Sequence, residues 1–459
     1  MIKLNELTDI ERFAKDIKDN WIILSQNDAD NHYIIACYSK STQFAGHWVQ
    51  DTTLLARGLV LKLTDDGMNV YNRIHTNIND DANLNAIIDM LTDATVEARG
   101  MRKFFTVDAS TSEWGKVKLI DDDENVTVDD DYIIDYNAPA SVADKLDGAL
   151  GIGVIINDDY IIATKGSFRS DEAKAGTEIM RNKHDSMLFA RMMMNELPGF
   201  TPLFEIITPG EFHVVQYGSM NDIVFLGLLE NKTGWWIPAA LLASDDRTKN
   251  TKAKDIADSY GFITPTVYNA HSLGQALARP ALANHEGMVA TLDGINADGS
   301  PRQDMFKIKY PMFLMLQRLK NSTSGKALKD YVNAMPSFTI MNNENPDIAS
   351  NLPVEAREAA EPILNRLNAQ AHENYIIPVR DAVNKTLRMY DDIANKHDLT
   401  SRNGIRDYAL EVKNMNLTST ERSIMFAYKN AISKSPDCKV SRDALIEAGV
   451  IAAKRIILK

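Results

Sequence analysis

The sequence predicts an α+β protein, with antiparallel sheets and flanking helices in its first two-thirds and helices alone in its last third. Three observations predict this. A β-hairpin signal stands before the middle of the chain: the apolar run Ile152 to Ile156, the turn Asn157-Asp158-Asp159, and the run Tyr160 to Thr164. Further β-rich runs recur on either side, Tyr33 to Tyr38 and Phe200 to Ile207. Beyond about residue 325 strand signals become few and apolar residues take helical spacing.

Taken in order, Leu7, Ile10, Phe13, Ala14 and Ile17 share one face of a helix over residues 6–19. Trp21 to Leu24 and Tyr33 to Tyr38 read as strands. Leu54 to Leu63 is a strand interrupted by Arg57-Gly58, and an arginine within an apolar strand is unusual without a partner. Arg102-Lys103 stands beside Phe104-Phe105. After the hairpin, Lys165-Gly166-Ser167 leads into a helix over about 170–196, whose Met192, Met193 and Met194 read as core filler. Phe200 to Ile207 is a strand that holds Glu205 between apolar neighbours, and burying a glutamate is costly unless it is paired. Ile223 to Glu230 is a further strand, ending at Asn231-Lys232-Thr233-Gly234. Glu286 opens the apolar run Gly287 to Ala290. Met305 to Tyr310 carries Lys307 and Lys309, which at a spacing of two project from one strand face. Two such cations repel, and a shared anionic ligand explains them best. Residues 353–396 and 402–415 are helical in pattern, Thr418-Ser419-Thr420-Glu421 reads as a capping box, and another helix starts near Ser441. The expected division is into domains 1–325 and 326–459.

The chain has 459 residues, enough for two or three domains with a sizeable core. It is 44% hydrophobic and 25% charged, ordinary values for a soluble globular protein. Two distant cysteines, Cys37 and Cys438, argue against a disulfide framework or a cysteine-built zinc site and suit a reducing cytoplasm. The N-terminus lacks the apolar region of a signal peptide, and no apolar run reaches the length of a membrane span. The expectation is a cytoplasmic protein without membrane contact. The net charge of -13 looks wrong for an enzyme of nucleic acids, but its distribution matters more. Residues 1–135 hold 13 Lys and Arg against 25 Asp and Glu, and the remainder 37 against 38. The acidity thus belongs to the N-terminal third, with Asp121-Asp122-Asp123-Glu124 and Asp129-Asp130-Asp131 as solvated runs. A polyanion site elsewhere is compatible with it, because local arrangement sets the field.

The chemistry centres on Lys145-Leu146-Asp147-Gly148, placed just before the hairpin at the mouth of a sheet. A lysine is a covalent nucleophile only when neutral, and its free pKa of about 10.4 keeps it charged at pH 7. Burial and neighbouring cations lower that value. Gly148 lets a ligand approach the backbone closely, and Asp147 suits a metal or the orientation of the amine. Downstream follow, in order, Glu205, then Glu286 with Gly287, then Lys307 with Lys309.

This ordered set resembles the covalent nucleotidyltransferase superfamily of ATP-dependent ligases and mRNA capping enzymes. Lys145 matches its first motif, Glu205 the third, Glu286 the fourth, and Lys307 with Lys309 the fifth. Within it the chain is most similar to the phage RNA ligase 1 family. The nearer matches are Ala56-Arg57-Gly58, Lys103-Phe104-Phe105, Lys165-Gly166-Ser167, Phe204-Glu205 with Pro209, Glu230 to Gly234, and Phe306 to Lys309. The resemblance covers roughly residues 50–315 and implies a nucleotidyltransferase domain, and the family also has a helical C-terminal domain. Residues 326–459 show no motif match, so the expectation that they select the RNA rests on their helical pattern with mixed charge. It implies an ATP-dependent RNA ligase in three steps: Lys145 becomes lysyl-AMP, AMP passes to a 5′-phosphate RNA end, and a 3′-hydroxyl displaces AMP. Cleaved tRNA and RNA repair in an infected bacterial host are the implied setting, with no obligate protein partner. ATP with Mg²⁺, or Mn²⁺ in its place, is the implied cofactor set. Glu286 and Asp147 are the implied metal ligands. Glu205 is implied at the ribose hydroxyls, Gly148 in the AMP pocket, and Arg57, Lys103 and Lys165 at the phosphates. Lys307 and Lys309 are implied at the α-phosphate, where their charge also helps depress the pKa of Lys145. Other covalent nucleotidyltransferases, a DNA ligase or a capping guanylyltransferase, are the alternative, but their OB domain has no counterpart here. A non-catalytic nucleic-acid-binding relative is a further one, disfavoured because every motif lysine and acid is present. Two departures stand out. Gly210-Glu211-Phe212-His213 replaces the Asn-Arg that often follows the third motif, and Phe313 stands where a tyrosine is usual.

Overall fold

The structure, a computed structural model, describes residues 2–26, 32–74, 83–113, 116–120, 137–209, 213–241, 252–295, 299, 301–322, 325–342, 354–435 and 440–458. The acidic runs 121–124 and 129–131, Gly210 to Phe212, and Cys438 lie outside the described residues. The chain falls into two compact units, Met1–Leu314 and Met315–Lys459.

In the first unit, fifteen strands among the described residues form three five-stranded sheets. The first sheet uses β1 (Ile2–Lys3), β2 (Ile22–Gln26), β3 (Tyr33–Tyr38), β4 (Arg57–Lys62) and β5 (Thr95–Arg99), in the order β1-β5-β4-β3-β2. The other two interleave in sequence. β6 (Phe105–Glu113), β7 (Lys116–Ile120) and β8 (Ala140–Lys145) begin the third sheet. β9 (Ala149–Ile156), β10 (Asp159–Ala163), β11 (Phe200–Ile207), β12 (Asp222–Glu230) and β13 (Trp236–Pro238) make the second, in the order β10-β9-β11-β12-β13. β14 (Gly287–Ile295) and β15 (Pro301–Lys309) then complete the third as β7-β6-β15-β14-β8. All pairings are antiparallel except β6 with β15.

The side-chain period of two builds the layers. All six residues of β3 are buried, because the strand is covered on both faces. Ile34 and Ala36 meet α1 (Ile10–Lys18), α2 (Asp65–Ile74) and α3 (Asn83–Thr92) through Phe13, Ile17, Met68 and Leu91. Tyr33 and Ile35 meet Ile152 and Val154 of β9 and Leu203 of β11. The opposite face of the second sheet, with Ile162, Phe204, Ile206 and Phe225, packs against α4 (Asp171–Lys183), α5 (Ser186–Glu196) and α6 (Lys252–Tyr260). The hairpin β9–β10 turns at Asn157 and Asp158, both with positive φ.

Two local expectations change. The first helix begins at Ile10 rather than near residue 6, because the Asp9 side chain accepts the Arg12 N–H and caps it. The single helix over 170–196 is two helices. His184 takes extended geometry and Asp185 caps the second by accepting the Leu188 N–H. Of the three methionines, only Met193 is fully core, and Met194 is 42% exposed.

The second unit is helical. α7 (Gly325–Ala334), α8 (Val354–Ala371), α9 (Ile377–Ala394), α10 (Arg402–Asn414), α11 (Ser419–Lys434) and α12 (Arg442–Ile457) share one core that includes Val383, Tyr408, Tyr428 and Val450. The capping box forms: the Thr418 N–H donates to Glu421 Oε2 at 2.9 Å and the Glu421 N–H to Thr418 Oγ1 at 3.2 Å. Ser441 caps α12. No helix among the described residues is long and apolar enough to cross a membrane.

Candidate active site

Lys145 is the last residue of β8, opposite Gly287 on β14. It therefore ends a strand of the third sheet, and does not merely precede the hairpin. Leu146-Asp147-Gly148 then carries the chain across to β9 of the second sheet. The Gly148 N–H donates to Glu205 Oε1 at 2.9 Å. A Cβ on Gly148 would lie 2.5 Å from the Ile206 carbonyl oxygen and 2.9 Å from Glu205 Cγ. What demands glycine here is the approach of β11, not the approach of a ligand.

Glu286, 4% exposed, stands between two lysines. Lys145 Nζ is 2.7 Å from its Oε2 and Lys309 Nζ is 3.3 Å from its Oε1. Burial alone lowers the pKa of Lys145, but Glu286, Glu205 and Asp147 outweigh it and hold the amine above the usual lysine range. The expected depression is thus reversed, because the nearest partners of Lys145 are carboxylates. Glu205 responds in the other direction. Burial pushes its carboxyl up to about 7, with the Glu286 charge adding and Lys145 opposing. Charge holds a proton on Lys145, and Glu205 is placed to take up or release one near neutral pH.

Asp147 turns toward the following loop. Its Oδ2 accepts the N–H groups of Val214 and Val215 at 2.6 and 3.0 Å, while its own N–H donates to Tyr217 Oη at 2.7 Å. No three His, Cys, Asp or Glu side chains among the described residues group as a metal site. The described donors therefore do not form an all-protein cage. They suit an ion that arrives on phosphate oxygens and takes one or two carboxylates while keeping waters.

Between the second and third sheets lies a cavity of about 190 Å³. Lys145, Gly148, Glu205, Arg57 and Lys307 line it, and Phe104, Trp236, Leu226 and Val289 supply apolar walls. One ring organises two of the cations: Lys307 Nζ lies 5.2 Å and Arg57 Cζ 5.9 Å from the centroid of Phe104. A second ring does the same nearby, with Lys103 Nζ 5.6 Å and Lys165 Nζ 5.4 Å from Tyr38. Lys103 also lies 5.1 Å from Trp48. Burial raises the pKa of the Cys37 thiol, and the charges of Lys165, Arg57 and Lys103 act against it, so these three cations converge on one place. Lys309 does not line the cavity. It reaches Glu286 from the edge, with its ammonium 5.4 Å from the Phe313 ring. His213 stacks edge-on with Tyr217 at 5.6 Å.

The predicted lysines, acids and arginine thus come from four strands, β4, β8, β11 and β15, and from loops beside the strands. Sequence reasoning missed the aromatic rings that hold the cations and the Tyr217 hydroxyl behind the lysine loop. Phe104 beside Arg102-Lys103 was the one visible signal. Tyr38, Trp48 and Tyr217 carry no motif, because their role depends on contacts distant in sequence.

The chain is similar to several known proteins. Among solved structures, an archaeal ATP-dependent RNA ligase aligns over 81% of this chain and 78% of its own, at 14% identity and a TM-score of 0.40. A putative ATP-dependent DNA ligase from Aquifex aeolicus aligns over 88% and 80%, at 10% identity and 0.35. A Naegleria gruberi RNA ligase mutant with AMP and Mn aligns over 57% and 76%, at 14% identity and 0.29. The sequence model of the RNA ligase family matches residues 55–311, more than half of the chain and every strand that bears the site from β4 to β15, so the chain belongs to the RNA ligase family, that of phage RNA ligase 1.

Proposed function

We propose that the protein is an ATP-dependent RNA ligase that seals 5′-phosphate and 3′-hydroxyl ends by way of lysyl-AMP and RNA-adenylate. The observation that carries this reading is Lys145 at the cavity wall, 2.7 Å from a buried Glu286 that also holds Lys309.

In the first step Lys145 Nζ, once deprotonated, attacks the α-phosphorus of ATP. An N–P bond forms and the bond to pyrophosphate breaks. Glu286 is the nearest acceptor for the departing proton. Lys307 and Lys309 neutralise charge that builds on the α-phosphate, a preorganised contribution that a water-excluded site magnifies. Arg57, Lys103 and Lys165, gathered around Cys37 and Tyr38, face the pyrophosphate. Glu205, partly protonated near pH 7, serves the ribose hydroxyls as donor or acceptor. A divalent ion, Mg²⁺ or Mn²⁺, carried on the triphosphate would be held by Glu286 and Asp147 and would supply further charge neutralisation. In the second step a 5′-phosphate oxygen attacks the same phosphorus and the N–P bond breaks. In the third a 3′-oxygen attacks the activated 5′-phosphate and AMP leaves.

The helical C-terminal region, from about residue 326, selects the RNA and does no chemistry. The substrate is a broken RNA strand, cleaved tRNA among the candidates, and the setting is repair in the cytoplasm of an infected bacterial host. The test is joining of a 5′-phosphorylated oligoribonucleotide to a 3′-hydroxyl oligoribonucleotide with ATP and Mg²⁺. A sealed product that needs ATP and the 5′-phosphate supports the reading. Sealing that proceeds equally without ATP contradicts it.

A further inference from the structure

The loop Val214 to Tyr217 holds no residue assigned to the chemistry, yet it grips the segment after Lys145 through three hydrogen bonds. The Val214 and Val215 N–H groups donate to Asp147 Oδ2 at 2.6 and 3.0 Å, and the Asp147 N–H donates to Tyr217 Oη at 2.7 Å. Bonds to a carboxylate are the stronger class of hydrogen bond. Val214 and Val215 are buried, so their side chains anchor the loop while their N–H groups hold Asp147. Burial, and after it the charges of Asp147, Glu205 and Asp144, keep the Tyr217 hydroxyl above the usual tyrosine range, against the pull of the Asp147 N–H. Its oxygen therefore accepts as a neutral hydroxyl.

The same loop reaches the chain that leads into Glu286. The Gln216 N–H donates to Asn284 Oδ1 at 2.7 Å, and Asn284 Nδ2 donates back to the Gln216 carbonyl at 2.9 Å. A side-chain amide can satisfy both backbone groups of one residue at once, and here it ties two loops 68 residues apart. Asn284 takes left-handed backbone, with φ +56°, which asparagine tolerates better than most residues. It stands two residues before Glu286, whose Oε2 is 2.7 Å from Lys145 Nζ. Asp147 stands two residues after Lys145. One loop thus holds the chain on both sides of the Lys145–Glu286 pair.

We propose that Tyr217 and Asn284 are positioning residues, two ends of one clasp that sets Lys145 against Glu286 for attack on the α-phosphorus. The proposal rests on the ligase reading. Neither side chain lines the nucleotide cavity, so their effect passes through the two segments they hold. A displacement of about 1 Å at a reacting group costs about a hundredfold in rate, while the cavity walls that bind ATP stay in place. The final joining step uses no lysine nucleophile and does not need the clasp.

The test uses the full chain and the variants Tyr217→Phe, Asn284→Gly and the two combined. Tyr217→Phe keeps the ring and loses the acceptor. Asn284→Gly leaves the left-handed backbone accessible and loses both side-chain bonds. Single-turnover gels with α-labelled ATP read the saturating rate of protein-AMP formation and the ATP concentration that gives half of it. A pre-adenylylated oligoribonucleotide, supplied without ATP, reads the joining step. Each single variant is expected to slow the saturating rate about tenfold, with half-saturating ATP and the joining step within about twofold of the parent. The combined variant is expected to lose little more than either alone, because both changes open the same clasp. Equal losses in both steps would make the two residues merely structural, and the proposal fails. It fails also if half-saturating ATP rises while the rate holds, if the two losses multiply to about a hundredfold, or if neither variant departs from the parent. Should Tyr217→Phe not fold, Asn284→Gly, at an exposed position, decides by its rate, its half-saturating ATP and its joining step. Absence of label on the parent chain would count against the ligase reading itself, and takes the proposal with it by a result distinct from all of these.

Discussion

At the residue scale, the site is a contest between charge and burial. Glu286 and Glu205 hold Lys145 above the usual lysine range, so on the proposed mechanism the amine must lose a proton before it attacks. Phosphate-stabilising donors of this kind contribute about 3 kcal/mol each, roughly a hundredfold in rate. Replacing Lys307 or Lys309 by alanine should therefore slow protein-AMP formation by about two orders of magnitude, read in single-turnover gels. Near-parent rates in both variants would reduce the pair to structural lysines. Glu205 gives a pH signature. Its folded-state pKa of about 7 stands above the ordinary 4.5, so between these values the folded state binds more protons than the unfolded state. Its contribution to stability is present below about pH 4.5 and is lost as pH rises through 7. Urea unfolding of Glu205→Gln against the parent should show the variant relatively more stable at pH 8.5 than at pH 5.5. A pH-independent difference would mean that Glu205 is ionised throughout.

At the element scale, the crossover from β8 to β9 decides whether the lysine and Glu205 meet. The Gly148 contact with β11 leaves no room for a side chain. Gly148→Ala must move a backbone carbonyl, and such overpacking costs about 1–3 kcal/mol. The expected result is a lower urea midpoint together with loss of protein-AMP formation. A variant with parent stability and activity would show that the two strands are not held that closely. Much of this level was legible in the sequence. The hairpin, the strands around Glu205 and Lys307, and the capping box at Thr418 each follow from local pattern and turn chemistry. Two things were not. Which strands share a sheet depends on pairings far apart in sequence, so β8 could not be separated from the hairpin. The break at Asp185 was hidden because Met and Ala spacing runs through it, and only the cap distinguishes two helices from one.

At the scale of the whole molecule, the matched family region ends at residue 311, and the helical unit begins at Met315. Every residue assigned to chemistry lies in the first unit. A chain ending at residue 324 should, when folded by circular dichroism, still form protein-AMP with ATP and Mg²⁺. It should lose its ranking among RNA substrates, for example a broken anticodon loop against a plain oligonucleotide. Phosphate contacts by Lys and Arg weaken steeply with salt, so the preference of the full chain should also fade between about 50 and 200 mM salt. A truncated chain that keeps the full ranking would assign specificity to the first unit instead.

The most direct measurement of the central claim is the covalent one. The full chain, and separately Lys145→Ala, is incubated with α-labelled ATP or α-labelled GTP and Mg²⁺, then denatured and run on a gel. The account predicts an acid-labile label on the parent chain from ATP and not from GTP, absent from Lys145→Ala. Label that persists on Lys145→Ala, or that comes from GTP in place of ATP, would contradict it.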